Sequence, residues 1–360
     1  MASETESSVT APRGLDPSAV AAFQAHLAQS KRIVAVIGAG LSASSGLATF
    51  RDSNGLWANH DVHLIATPAG WRRDPGLVWQ FYSDRRRNAL KAEPNPAHYA
   101  LAELAKKKPG FVALSQNVDG LLQRAGLEDG YGNANANANN PQLKLLHGNL
   151  FDLVCANNCG YTEQNFKDPL CPVLSEENVE NRANVMGAGI KDGEKPPKAS
   201  ALLFEAIAAK NKKILGENFK TSALSAADAA PLKERGEDAP KIPDTVPVLH
   251  SGIQPSDLMQ CPGCNNSLLR PRVVWFGEAL AQDLVEQVDA WFEEDKVDLC
   301  LVIGTSGSVW PAAGYAEQAR KKGARVAYVN MRQEDMKRSQ EGDWAFVGDA
   351  AIILPEILGS

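Results

Sequence analysis

Apolar residues along this chain fall into two kinds of run. The first is short, rich in β-branched residues and apolar at every position: Ile33-Val34-Ala35-Val36-Ile37, Phe111 to Leu114, Leu299 to Ile303, Val326 to Val329 and Ala351 to Leu354, with Leu143 to Leu146 broken only by Lys144. Such runs predict strands buried on both faces, the habit of parallel sheets. The second kind spreads apolar residues at helical spacing over 76–91, 96–107, 281–294 and 312–321, between several of the strands. A further helix is predicted to start at Asp16-Pro17, with Asp as N-cap and Pro at the first helical position. It runs to Ser30 on a face of Ala19, Ala22, Phe23, Leu27 and Ala28. Strand–helix alternation predicts an α/β fold with a doubly wound, Rossmann-like parallel sheet.

Three stretches break the alternation. Residues 1–14 are small, polar and without period, and read as a disordered terminus. Asn133 to Asn140 is an Ala/Asn tract, read as a surface loop. Residues 175–257 hold only Phe204 and Phe219 as aromatics, mix Lys with Glu and end Pro-rich, which predicts a long flexible insertion with a helix at 200–215.

Composition narrows the class. With 44% apolar and 22% charged residues among 360, the chain can bury a real core. Lys+Arg total 37 against 43 Asp+Glu, a net charge of -6, so no direct nucleic-acid binding is expected. No run of 18 apolar residues exists, so no membrane span is expected either. Glu4 and Glu6 precede the first basic residue, which argues against a secretory signal and does not resemble a transit peptide, so cytoplasm or nucleus is the expected compartment.

Candidate chemistry sits mostly where strands end. Gly38-Ala39-Gly40-Leu41-Ser42-Ala43 follows the first strand and fits a dinucleotide fingerprint, in which glycines let backbone approach a pyrophosphate and a helix start offers N–H groups. A plain tight turn reads the same way. The acidic residue expected about twenty positions on is missing, since Asp61 falls in a loop, and this disfavours a hydride-transferring dehydrogenase. Gln116-Asn117-Val118-Asp119 and His147-Gly148 directly follow two further strands, as do Gly304-Thr305-Ser306 and Asn330. Polar groups beyond the carboxyl ends of parallel strands point to one crevice, where His147 is either a general base or a structural histidine. Cys155-x₃-Cys159 and Cys261-x₂-Cys264 form two knuckles suited to one structural zinc; the alternative is unrelated thiols. Cys171 is a spare that could compete, and Cys300 reads as core.

Taken in order, these motifs resemble the sirtuin family of NAD-dependent protein lysine deacylases. The resemblance runs through Gly38 to Ser42, Thr49-Phe50-Arg51, Gln116 to Asp119, His147-Gly148, the four cysteines, Val274-Trp275-Phe276-Gly277-Glu278 and Gly304 to Ser306. It covers roughly residues 16–358 without the insertion. Ala48 in place of the usual Pro, the x₃ knuckle, Gly307 and the insertion depart from the pattern. The resemblance implies NAD as a consumed co-substrate over Gly38, Ala39, Gly40 and Ser42, with Phe50 and Arg51 at the nicotinamide end. It implies Gln116, Asn117 and Asp119 at the nicotinamide ribose, and Gly304, Thr305, Ser306, Asn330 and Ala350 at the adenosine half. His147 and Asn117 would be catalytic, and the products free lysine, nicotinamide and O-acyl-ADP-ribose. Val274, Trp275, Phe276, Gly277 and Glu278 would pair with the substrate peptide as an added strand. The implied domains are an NAD-binding domain over 15–150 and 268–358, including a helical acyl-pocket segment at about 52–95, and a smaller zinc-ribbon domain over 151–174 and 258–267. The expected partners are acyl-lysine proteins or peptides, and the expected state is a monomer. Relatives of this branch are often mitochondrial, which keeps that compartment open.

Tyr82 and Arg85 lie three apart on one helix face and match the Tyr-x-x-Arg pair of the sirtuin branch that removes acidic acyl groups; Ala66 fits its widened pocket. An arginine and a phenol can hold the distal carboxylate of succinyl, malonyl or glutaryl lysine by charge-assisted hydrogen bonds. The competing reading makes Arg85-Arg86-Arg87 a solvated basic run and Tyr82 helix packing. Two rival functions stay open here: a deacetylase or decrotonylase on the same scaffold, and a non-catalytic NAD- or ADP-ribose-binding module with a zinc ribbon.

Overall fold

The structure, a computed structural model, describes residues 15–49, 56–57, 60–129, 141–178 and 251–359. The expectations for 1–14, 133–140, the helix at 200–215, Phe50 and Arg51 lie outside the described residues. In chain order the elements are α1 (Pro17–Gln29), β1 (Arg32–Ile37), β2 (Leu56–Trp57), β3 (His60–Asp61), α2 (Val62–Ile65), α3 (Pro68–Arg73), α4 (Pro75–Lys91), α5 (Pro96–Lys107), β4 (Gly110–Ser115), α6 (Leu121–Arg124), β5 (Leu143–Leu145), β6 (Gly148–Cys155), β7 (Thr162–Gln164), β8 (Leu269–Val273), α7 (Gln282–Glu294), β9 (Leu299–Ile303), α8 (Ala312–Lys321), β10 (Arg325–Asn330), β11 (Trp344–Val347) and α9 (Ala350–Leu358).

Six strands pair in the order β11-β10-β9-β1-β4-β5, every neighbour parallel. β1 lies at the centre, with Ile33 in register with Phe111 on one side and Leu299 on the other. The chain winds outward through β4 and β5, then returns to β9 on β1's other flank. The winding therefore reverses between β1 and β9, and the carboxyl ends there form a crevice. One face of the sheet carries α1, α5 and α9 through a core that includes Phe23, Leu101 and Ile353; the other carries α7 and α8 through Val288, Phe292 and Tyr315.

Ala351 to Leu354, expected as a strand, belongs to α9. Asp349 caps that helix by accepting the Ala351 N–H at 2.8 Å, and Ile353, Leu354 and Ile357 face inward while Ile352 is exposed. Four apolar residues in a row suit either element; the buried Ile357 one turn on is the helical signal. The sixth strand is instead β11, whose alternately buried and exposed residues mark an edge.

A third core joins α2, α3 and α4 to a three-stranded antiparallel sheet, β7-β6-β8. The Trp79 indole on α4 donates to the Leu269 carbonyl of β8 at 3.0 Å, and burying such a side chain contributes about 1.5–3 kcal/mol. The helical segment expected within the large domain thus packs its core on the cysteine-bearing sheet. Arg86 donates to the carbonyls of Leu150 (2.6 Å) and Asn165 (2.8 Å), and Arg87 to Asp168 (3.0 Å) and the Leu174 carbonyl (3.1 Å). Both are buried structural ties, so the solvated-run reading of 85–87 does not hold.

The chain's re-entry after the insertion is fixed as well. Asp74 accepts the Ser251 N–H at 2.6 Å and its hydroxyl at 2.7 Å while also capping α4 through the Leu77 N–H at 2.9 Å. A Cβ at Gly76 would lie 2.4 Å from the Ser251 hydroxyl, so only glycine admits this contact. Residues 251–257, expected as loose insertion, are therefore packed, with Ile253 buried.

Candidate functional site

At the switch point three strand ends interlock through bare backbone. Gly38 N–H donates to the Ile303 carbonyl and Gly40 N–H to the Gly304 carbonyl, both at 2.9 Å. A Cβ at Gly38 or Gly40 would meet the 304–305 segment at 2.7 Å, and one at Gly304, whose φ is +58°, would meet the Leu41 nitrogen at 2.5 Å. Beyond Gly38 the chain forms a 3₁₀ run, Ala39–Ser45, where the fingerprint predicts an α-helix start. Asn330 on β10 donates to the Thr305 carbonyl at 2.9 Å, and Gln116 Nε2 to Thr305 Oγ1 at 3.2 Å, so the ends of β4, β9 and β10 are tied together. Ser306 pairs its hydroxyl with Ser308 at 2.6 Å, and Ala350 is buried at the start of α9.

Under the 3₁₀ run lies a buried polar relay. Asn95 N–H donates to His98 Nδ1 at 3.2 Å, which leaves the hydrogen on Nε2, 3.4 Å from Ser42 Oγ. Ser42 donates to Asp119 Oδ2 at 2.7 Å and accepts from Asn117 Nδ2 at 3.2 Å. Asp119 also accepts the Leu121 N–H at 2.9 Å. Burial pushes the His98 imidazole down to about 4 and keeps it neutral. Burial also raises the Asp119 carboxyl, against the pull of the Leu121 N–H and Ser42. Sequence reasoning missed His98; its signal was the Asn95-Pro96-x-His98 capping box that opens α5.

His147 sits at the end of β5, with Nδ1 3.1 Å from the Gln116 carbonyl. A carbonyl partner requires the hydrogen on Nδ1, so Nε2 presents a lone pair. Burial lowers its affinity for a proton, and the Gln116 carbonyl acts the other way. The next residue, Gly148, is at φ +80° with no room for a Cβ, which fixes where the imidazole stands.

The 274–278 strip leaves β8 alongside. Val274 N–H donates to the His147 carbonyl at 3.0 Å and Phe276 N–H to the Ala66 carbonyl at 2.9 Å, while Gly277 takes a φ of +89°. Ala66 and Tyr82 are buried, and the Arg85 guanidinium lies 4.6 Å over the Phe81 ring. Burial raises the Tyr82 phenol well above its ordinary range; Arg85 acts against that rise.

Cys155, Cys159, Cys261 and Cys264 bring their sulfurs within 4.8 Å of one another, with pairs at 3.7 Å (Cys155–Cys264) and 3.5 Å (Cys159–Cys261). Thiolates about 2.3 Å from a tetrahedral zinc are about 3.8 Å apart, so the donor set fits that ion. Asn158 and Asn265 take positive φ to close the two knuckles, which is how the x₃ spacing is accommodated. The N–H groups of Cys159 and Asn157 pull the Cys155 thiol down to about 6. Cys171 is outside this group, and Cys300 is core, its thiol pushed up to about 12 by burial.

A doubly wound sheet with a glycine-built switch point, a buried polar relay and an appended four-cysteine ribbon defines a nucleotide-binding α/β protein. The chain belongs to the Sir2 family, whose profile matches residues 38–190 and 227–311. It is 40% identical over 340 residues to a Candida albicans NAD-dependent protein deacylase, covering 92% of this chain and 94% of that one. It is 33% identical over 352 residues to the mitochondrial NAD-dependent protein deacylase sirtuin-5 of Danio rerio, covering 96% and 89%. Among solved structures, a Sir2 homolog–NAD complex aligns over 97% of this chain and 95% of its own, with a TM-score of 0.60 and 25% identity.

Proposed function

We infer that this protein is an NAD-dependent protein lysine deacylase that prefers acidic acyl groups. The observation that carries the reading is His147 at the end of β5, with Nδ1 committed to the Gln116 carbonyl, which leaves Nε2 its lone pair. NAD fits the residues there: the glycine backbone admits close approach, and neutral amides and hydroxyls suit ribose and phosphate oxygens. Bound NAD supplies a sugar carbon made electrophilic by its pyridinium leaving group. Gly38, Ala39, Gly40 and Ser42 would flank the diphosphate, with Phe50 and Arg51 toward the nicotinamide. Gln116, Asn117 and Asp119 would hold the adjoining ribose, and Gly304, Thr305, Ser306, Asn330 and Ala350 the adenosine half. His147 Nε2 takes the proton of a ribose hydroxyl; its lowered basicity keeps it unprotonated at neutral pH. Ser42, tied to Asn117 and Asp119, orients the groups that face the ribose. The four cysteines would hold one zinc that closes the ribbon and leaves no open coordination position.

The acyl chain would pass Ala66 to reach Tyr82 and Arg85, while Val274 to Glu278 lines the peptide. Several relatives, including the fish protein, are named as mitochondrial deacylases, which supports mitochondria as a compartment for this protein. We read the protein as a monomer without direct nucleic-acid contact; sedimentation returning a dimer mass would remove the first of these. The function is tested by mass spectrometry of one peptide carrying acetyl, crotonyl, malonyl, succinyl or glutaryl lysine, with and without NAD. Loss of the acidic acyl groups only with NAD, and O-acyl-ADP-ribose formed in step, is the expected result. No turnover of any of the five means a non-catalytic binding module.

A further inference from the structure

Trp275 is 2% exposed, yet its indole Nε1–H makes no fully formed hydrogen bond among the described residues. A buried donor left without an acceptor is costly, and each one in a native fold calls for an explanation. The ring itself is held firmly. The Arg270 guanidinium lies 3.5 Å over its face, and the Trp71 ring stands 5.5 Å away. Arg270 is fixed by two bonds to Glu278 (2.7 and 2.9 Å) and one to the Val273 carbonyl (3.0 Å). Glu278 also accepts the Trp275 backbone N–H at 2.9 Å. The strip is pinned beyond the ring by Phe276 on the Ala66 carbonyl, so the indole shares one buried cluster with Ala66 and Tyr82. The indole and the Tyr82 phenol belong to that one buried cluster, and Trp275 acts on the phenol as a hydrogen-bonding neighbour, alongside Arg270 and Glu278, without completing a bond of full geometry.

We propose that Trp275 is a specificity-determining residue: its N–H donates to the Tyr82 oxygen once an acidic acyl group is bound, committing the phenolic hydrogen to the acyl carboxylate. Arg270 and Glu278 are positioning residues for that indole. The proposal rests on the acidic-acyl reading above and adds a third side chain to it.

The experiment measures kcat/KM for succinyl and acetyl forms of one peptide in the full-length enzyme. It compares wild type, Trp275→Phe, Tyr82→Phe, the double variant and Arg85→Met. Trp275→Phe keeps an aromatic ring under Arg270 and removes the N–H. Its succinyl-to-acetyl ratio is expected to fall about 10-fold, mainly through KM for the succinyl peptide, as for one hydrogen bond serving a charged group. The double variant is expected to be no worse than Tyr82→Phe alone, because the indole acts through that oxygen. Replacement of Trp275 by 3-benzothienylalanine, an isostere without the N–H, gives the same fall and decides the matter if Trp275→Phe folds poorly. A ratio within twofold of wild type in that isostere, with Arg85→Met still collapsing it, overturns the role of Trp275 and leaves the acidic-acyl reading standing. An unchanged ratio in Arg85→Met overturns both.

Discussion

The switch-point cleft and the acyl pocket proposed on α4 are built by different means. The cleft is made largely of backbone: Gly38, Gly40 and Gly304 press strand ends so close that no Cβ fits, and the polar side chains around them are cross-bonded. The proposed pocket is made of side chains on α4, where Arg85 lies over the Phe81 ring while Arg86 and Arg87 are tied to the carbonyls of Leu150 and Leu174. A site of the first kind cannot be altered without moving the sheet. A site of the second kind changes its ligand by one substitution while the scaffold stays.

The largest test of this contrast is His147→Ala. Nicotinamide release should fall about 10²–10⁴-fold. NAD binding by calorimetry should persist, because the backbone cradle is intact; turnover within fivefold of wild type would remove the imidazole from the chemistry. Next is Cys261→Ser, expected to abolish the one zinc per chain measured by elemental analysis and to loosen the β7-β6-β8 sheet. Exchange of the amides in β1 and β4 should stay slow. Equal loss of protection in both sheets would show a single cooperative unit.

Gly304→Ala is expected to cost about 2–4 kcal/mol in denaturant unfolding, since it adds both positive-φ strain and an overlap with Leu41. The relay contributes a pH effect. His98 is near 4 folded and near 6.5 unfolded, so the unfolded state takes up the proton first as pH falls. Stability should drop between about pH 6.5 and 4 by roughly 3 kcal/mol, and His98→Gln should flatten that limb. An unchanged slope in the variant would place the acid sensitivity elsewhere. The smallest effect is Gly46→Ala, at φ +83° with nothing within 4 Å, expected to cost only about 1–2 kcal/mol and to leave NAD affinity unchanged.

What the sequence made legible follows from the same contrast. Buried parallel strands, the glycine turn and polar residues at strand ends are local patterns, and β1, β4, β9 and β10 stand where those patterns put them. Cysteine spacing carried the ribbon for the same reason. Misread were features decided by partners far along the chain. Ala351 to Leu354 is a helix because α1 and α5 cover it, and residues 251–257 are ordered because Asp74 reaches them. His98 went unnoticed because nothing local shows that Ser42 will lie against it, and the orphaned N–H of Trp275 is visible only with coordinates.

As proposed, the crevice and the α4 pocket serve one acyl-lysine at its two ends. The most direct measurement of this is the ratio of desuccinylation to deacetylation on one peptide for wild type and Arg85→Met. The expected wild-type ratio is well above one and collapses in the variant through loss of desuccinylation alone. Equal desuccinylation by the two proteins, with deacetylation unchanged, would contradict it.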